Sequence, residues 1–108
     1  MKKMDQAYQY LDDMYKDTYY PVFLVDKLKD LMLELVAYLE PEDKTVEQIQ
    51  SKLDEIIEKT NDLQEDFEEN DSEIETVARE SIAQTVEDIL AYYEIPIETE
   101  EAIRERDW

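Results

Sequence analysis

A chain of 108 residues without a single glycine has few ways to turn. Tight β-hairpins lean on glycine to reach positive φ, and glycine-rich phosphate loops need it outright. Histidine and cysteine are missing too. Their absence removes the commonest general base, the commonest metal ligands, the thiol nucleophile and any disulfide. What remains is acid, tyrosine and aliphatic residues. Low hydropathy with high net charge is the signature of disorder, yet 43% of the residues are hydrophobic and they recur with a helical period. The sequence therefore predicts a folded single domain over residues 1–108, of a size that buries roughly two thirds of its unfolded surface.

Four helices follow from period and punctuation. The first spans about Asp5 to Lys16, with Ala7, Tyr8, Leu11, Met14 and Tyr15 on one face. Asp17 to Tyr20 connect it to a second helix opened by Pro21 and stopped by Pro41. The stripe of that helix is Leu24, Leu28, Leu31, Leu35 and Tyr38, widened by Phe23, Met32, Val36 and Leu39. Thr45 and Gln48 form a capping box for the third, whose Val46, Ile49, Leu53, Ile56, Thr60, Leu63 and Phe67 alternate steps of three and four. Asn70-Asp71 closes it, with asparagine best suited to a left-handed cap. Ser72 and Glu75 make a second capping box before Ile74, Ala78, Ile82, Val86, Ile89 and Tyr93. Ile95-Pro96-Ile97 breaks that helix, and Thr99 opens a last short one. Short connectors predict an all-α, up-and-down four-helix bundle with a short C-terminal helix. The narrow seam of the third helix admits a homodimer, though packing within the chain's own bundle is the commoner fate.

Charge sorts the functions. Asp and Glu number 31 against 11 Lys and Arg, a formal net charge of −20. Direct nucleic-acid or anionic-membrane binding is disfavoured, because phosphate contacts need bases and no basic run exceeds Lys2-Lys3. Met1 to Gln6 lead into no apolar stretch, so no signal peptide is expected, and the longest apolar run, Ile89 to Tyr93, is too short to span a bilayer. A cytoplasmic protein, monomeric or homodimeric, is the expectation, with a basic protein as the electrostatically favoured partner. Self-repulsion predicts a fold strengthened by moderate salt and by mild acidification.

The acids concentrate. Asp62 to Glu75 holds eight and no base: Asp62, Glu65, Asp66, Glu68, Glu69, Asp71, Glu73 and Glu75. A calcium loop begun at Asp66 places Glu68 and Asn70 well, but it needs glycine where Asp71 stands and an acid where Val77 stands. Paired carboxylates such as Glu55 and Glu58, or Glu65 and Glu68, suggest a dinuclear metal site in a bundle. Such sites use Glu-x-x-His, and the acids fall outside the apolar stripes. No metal and no cofactor are expected. The run reads instead as a solvated face or a docking surface. Tyr19 and Tyr20, in a connector before proline, are candidate anchors for a partner. Tyr8, Tyr15, Tyr38 and Tyr93 read as rings covering the core with hydroxyls in water. Lys27 and Arg79 stand isolated, and Glu75 lies at local pairing distance from Arg79.

Met14-Tyr15-Lys16-Asp17-Thr18-Tyr19-Tyr20-Pro21 followed by Leu24-Val25-Asp26-Lys27 resembles a pattern of a small bacterial family of unknown function, number 5713. That pattern is Met-Tyr-x-Asp-x-Tyr-Phe-Pro, then Leu-Val-Asp-Lys. Asn61-Asp62-Leu63 through Phe67, Asn70, Ser72 through Glu80, and Arg106-Asp107-Trp108 are similar to the family as well. The middle, Pro41 to Lys59, matches least. Members often carry a histidine in the third helix, so no histidine-dependent role transfers to this chain. The resemblance marks Asp17, Pro21, Asp26, Lys27, Glu75, Arg79, Asp107 and Trp108 as one surface or one internal network, with Trp108 docked near Arg79 or Lys27. It implies no activity. The sequence favours a noncatalytic acidic binding module, immunity- or inhibitor-like, over a homo-oligomeric structural protein and over a carboxylate enzyme.

Overall fold

The computed structural model describes all of residues 1–108. It contains α1 (Asp12–Lys16), α2 (Val22–Leu39), α3 (Val46–Glu69), α4 (Thr76–Tyr92) and α5 (Thr99–Ala102), and no strand. The expected all-α bundle with a short C-terminal helix is what forms. No helix is long and apolar enough to cross a membrane.

The three long helices follow their local signals to different degrees. The α3 capping box is present in full: the Gln48 amide donates to Thr45 Oγ1 at 3.1 Å, and the Thr45 amide donates to Gln48 Oε1 at 2.8 Å. α2 starts at Pro21 with no side-chain cap and no acid in its first turn. Lys27 to Asp66 at 3.6 Å and Lys59 to Glu34 at 3.4 Å fix α2 and α3 as an antiparallel pair. α4 runs parallel to α2, since the Ala78 amide at its start meets Tyr20 before α2 and Tyr93 at its end lines a cavity with Leu39.

Two terminal segments complete the packing. Residues 1–20 descend along α4, with Tyr8 donating to Asp88 at 2.7 Å and the Leu11 amide donating to Thr85 Oγ1 at 3.3 Å. Residues 94–108 fill the groove between α3 and α4, and α5 touches both. α3 and α4 therefore make no close backbone approach, although sequential helices were expected to pack directly. The core divides accordingly. Ile49, Leu53, Ile56 and Ile57 of α3 meet Val86, Ile89, Leu90 and the inserted Ala102 and Ile103 at one end. Leu11, Met14, Tyr20, Leu24, Leu28, Phe67, Ala78 and Ile82 fill the other. The α3 seam is thus consumed inside its own chain.

Without glycine, the reversals fall on other residues. Leu11, Glu42, Asp71 and Glu94 all take positive φ, between 52° and 57°, a region that costs an L-residue about 1–2 kcal/mol. The helix expected from Asp5 does not form over residues 5–11; α1 begins only after Leu11, whose left-handed backbone is its N-cap. Asp71, not Asn70, supplies the left-handed position after α3. The Ser72 amide donates to the Phe67 carbonyl and the Asp71 amide to the Glu68 carbonyl, a Schellman closure. Ser72 is spent in that closure, so α4 starts three residues later than its Ser72–Glu75 signature suggests, with Glu75 as an N-cap residue whose side chain makes no cap.

Candidate functional site

α3 carries acids along its whole length, and the bases that reach it gather mostly on one half, where Asp54 and Glu55 are paired and Glu47 and Glu58 are not. Toward its N-terminus, Lys52 bonds Glu55 at 2.8 Å and Glu34 at 3.1 Å. Arg104 reaches Asp54 through two nitrogens, at 3.1 and 2.7 Å. These contacts hold both Asp54 and Glu55 below the usual carboxylate range: for Glu55 the Lys52 bond leads, while at Asp54 burial pulls upward and the Arg104 and Gln50 bonds outweigh it. From Asp62 to Glu75 the only ion pair is Asp66 with Lys27. Asp62, Glu65, Glu68, Glu69, Asp71, Glu73 and Glu75 are exposed and unpaired. No group of three or more acids converges closely enough to hold a metal ion.

The connector before α2 closes this end of the molecule. Asp17 turns the chain by accepting the Tyr19 amide at 2.9 Å. Tyr19 is 41% exposed; its carbonyl accepts the Ser72 hydroxyl at 3.1 Å. Desolvation and then the charges of Glu75 and Glu73 raise its phenol pKa, placing the ring beside those acids. Tyr20 corrects the expectation of an anchor. It is 4% exposed, packs edge-on against Phe67, and its hydroxyl oxygen accepts the Ala78 amide at 3.2 Å. The ring is a core residue that caps α4 from outside, because α4 has no cap of its own.

Asp107 and Trp108 join a different part of the acidic run. The Gln64 amide donates to Asp107, and the Asp107 backbone amide donates to Asn61 Oδ1 at 3.2 Å. A cavity of about 320 Å³ there is lined by Gln64, Glu68, Glu73, Ile74, Arg79, Asp107 and Trp108. Trp108 does sit beside Arg79, as the resemblance implies, whereas Lys27 is engaged across α2 and α3. Arg79 donates to Thr76 Oγ1 at 3.2 Å and makes no ion pair with Glu75, so the local pair expected at that spacing is not formed. The marked residues are two groups rather than one network: Asp17, Pro21, Asp26 and Lys27 around α2, and Arg79, Asp107 and Trp108 around the C-terminal segment.

Three of the four tyrosines expected to hold their hydroxyls in water do otherwise, and only Tyr38 makes no hydroxyl hydrogen bond within the chain. Tyr15 donates to Asp26 at 2.6 Å, Tyr8 to Asp88 at 2.7 Å, and Tyr93 to the Lys2 carbonyl at 2.9 Å. Their hydroxyls fasten the chain rather than face water. Burial, helped by the neighbouring carboxylate, pushes the Tyr8 and Tyr15 phenols well up. Burial and then Glu40 push Tyr93 up to about 12. Sequence reasoning missed Asn61, Gln64 and Ser72, whose roles are contacts across more than 40 positions. Their polarity at half-buried or buried positions, two inside α3 and one just after it, was the available signal.

Comparison with known proteins adds lineage. The family model described as a family of unknown function (DUF5713) matches residues 4–108, and the chain belongs to that family. No curated protein and no solved structure matches it.

Proposed function

Taking membership of that uncharacterised family as the premise, we propose that the chain is a noncatalytic, cytoplasmic binding module that covers a basic protein with the face built from Asp62, Glu65, Glu68, Glu69, Asp71, Glu73 and Glu75. The observation that carries this reading is the contrast within α3. Lys52, Lys59 and Arg104 gather on Glu34, Asp54 and Glu55, while the eight acids from Asp62 to Glu75 have one partner, Lys27. Unpaired carboxylates on one face raise the encounter rate with a cationic surface and reject anionic ones. Immunity- and inhibitor-like proteins that mask basic surfaces work on this principle.

The test is retention of a basic protein from cell extract on the immobilised chain. Binding is expected to weaken steeply between about 50 and 500 mM salt, where the screening length falls to a few Å. It should also fall at least tenfold in Glu68→Gln/Glu73→Gln/Glu75→Gln. Retention of no basic protein at any salt, or retention indifferent to both salt and that variant, overturns the reading.

A further inference from the structure

The acidic face ends against an apolar spot that helix chemistry does not explain. Four of the seven exposed large hydrophobic residues, Tyr19, Val22, Phe23 and Val77, stand at the starts of α2 and α4 or just before them, so exposure of this kind is concentrated at one end of the bundle. Helix starts favour acids and side-chain caps. In a chain with 31 acids, the first turn of α2 contains none, and Phe23 within it is 53% exposed. Phe23 was expected to widen the buried stripe, and it does not.

The geometry sets this spot beside the unpaired acids. Lys27 faces Asp66 across the antiparallel α2–α3 pair, so one turn earlier on α2 Phe23 faces the level of Asn70 and Asp71. The Tyr19 carbonyl accepts the Ser72 hydroxyl, which holds Tyr19 against the chain between Asp71 and Glu73. An apolar centre with a charged rim is the anatomy of a protein interface. The occupant follows from the rim. A second copy of this chain brings another −20 charge to the same spot, and apolar ligands alone gain nothing from the carboxylates. A cationic segment with an apolar side chain among its bases satisfies both parts.

We propose that Phe23, with Tyr19, is the anchor point of the acidic face, and that it receives an apolar side chain of a basic protein segment whose flanking Lys or Arg residues meet Asp71, Glu73 and Glu75. This rests on the binding role given above and specifies where and how the partner is held. Charge steers the partner in, and the ring contact sets how long it stays.

Two synthetic peptides test it: a lysine-rich peptide with one central phenylalanine, and the same peptide with alanine there. Binding is followed by titration calorimetry at low salt. The phenylalanine peptide is expected to bind about tenfold more tightly, the scale of burying one aromatic side chain partway. Phe23→Ser should erase that difference and leave the alanine peptide's affinity unchanged. Its exposure makes the variant safe for folding, and Tyr19→Ser provides an independent second variant. Equal affinity of the two peptides overturns the anchor while the acidic binding face stands. Failure of both peptides to bind overturns both. Sedimentation showing a dimer that Phe23→Ser dissociates overturns the anchor by assigning the spot to a second copy.

Discussion

Residues 1–20 lie along α4 on its α2 side, and residues 94–108 lie along it on its α3 side. Both bury apolar side chains, in opposite halves of the divided core: Leu11, Met14 and Tyr20 from the first, Ala102 and Ile103 from the second. Their polar fastenings differ in kind. The N-terminal segment is held by phenols, with Tyr8 on Asp88, Tyr15 on Asp26, and Tyr92 and Tyr93 on the carbonyls of Lys3 and Lys2. The C-terminal segment is held by amides and a guanidinium, with Gln50 and Asn61 on the carbonyls of Glu101 and Glu105, Arg104 on Asp54 and Gln64 on Asp107. Both sets use carboxylate acceptors, Asp88 and Asp26 in the first and Asp54 and Asp107 in the second, but only the first depends on hydroxyl donors that can lose a proton. A chain with few bases thus secures one end with donors that titrate and the other with donors that do not.

The apolar share of that comparison carries the largest effects. Met14→Ala and Ile103→Ala each remove a fully packed side chain, and each should cost about 2–5 kcal/mol in urea unfolding. A loss below about 1 kcal/mol for Ile103→Ala would show that the C-terminal segment lies outside the cooperative unit, and the two segments would then differ in more than their fastenings.

The pH response comes next. Folded Tyr8, Tyr15 and Tyr93 titrate above the ordinary phenol, Tyr93 at about 12. A raised pKa means that their stabilisation is whole below pH ~10 and is lost as pH climbs through the folded values. Asp54 is depressed, so its contribution is whole above the ordinary aspartate range and is lost as pH falls below it. Phenolate absorbance should therefore lag that of free tyrosine at high pH. The emission of Trp108, the sole tryptophan, should shift only at acid pH. Emission that holds constant down to pH 2 would show that the carboxylates of Asp54 and Asp107 do not hold the C-terminal end.

The smallest effect sharpens the same contrast. Leu11 and Glu94 both bend the chain into or out of α4's flanks with positive φ. Glu94 is exposed, so Glu94→Gly should raise stability by about 1 kcal/mol in thermal unfolding. Leu11 offers no such gain, because its side chain is buried. A destabilised Glu94→Gly would mean that the side chain, rather than the backbone, holds that turn.

What could be read in advance divides along the same physical line. α2 and α3 were legible because proline, a capping box and an apolar stripe act within a few residues. The brevity of α1 was not, because nothing about a leucine in helical register announces a left-handed backbone. Ser72 and Glu75 matched a helix start by spacing, but the preceding helix claimed Ser72 first. The acidic run was visible as composition. Which of its members are neutralised was not, because Lys27 reaches Asp66, and Arg104 reaches Asp54, from other elements. The exposure of Phe23 was hidden in a stripe that it appeared to continue.

The hydroxyl of Tyr20 on the Ala78 amide has a consequence for the order of folding. α3 holds both halves of its own cap and can nucleate as soon as Thr45 to Phe67 exist. α4 borrows its cap from a ring 58 positions upstream, so its first turn must wait until the connector before α2 has settled against Phe67. α4 therefore acquires a fixed beginning later than α3, and a peptide of residues 70–93 alone would start its helix ragged.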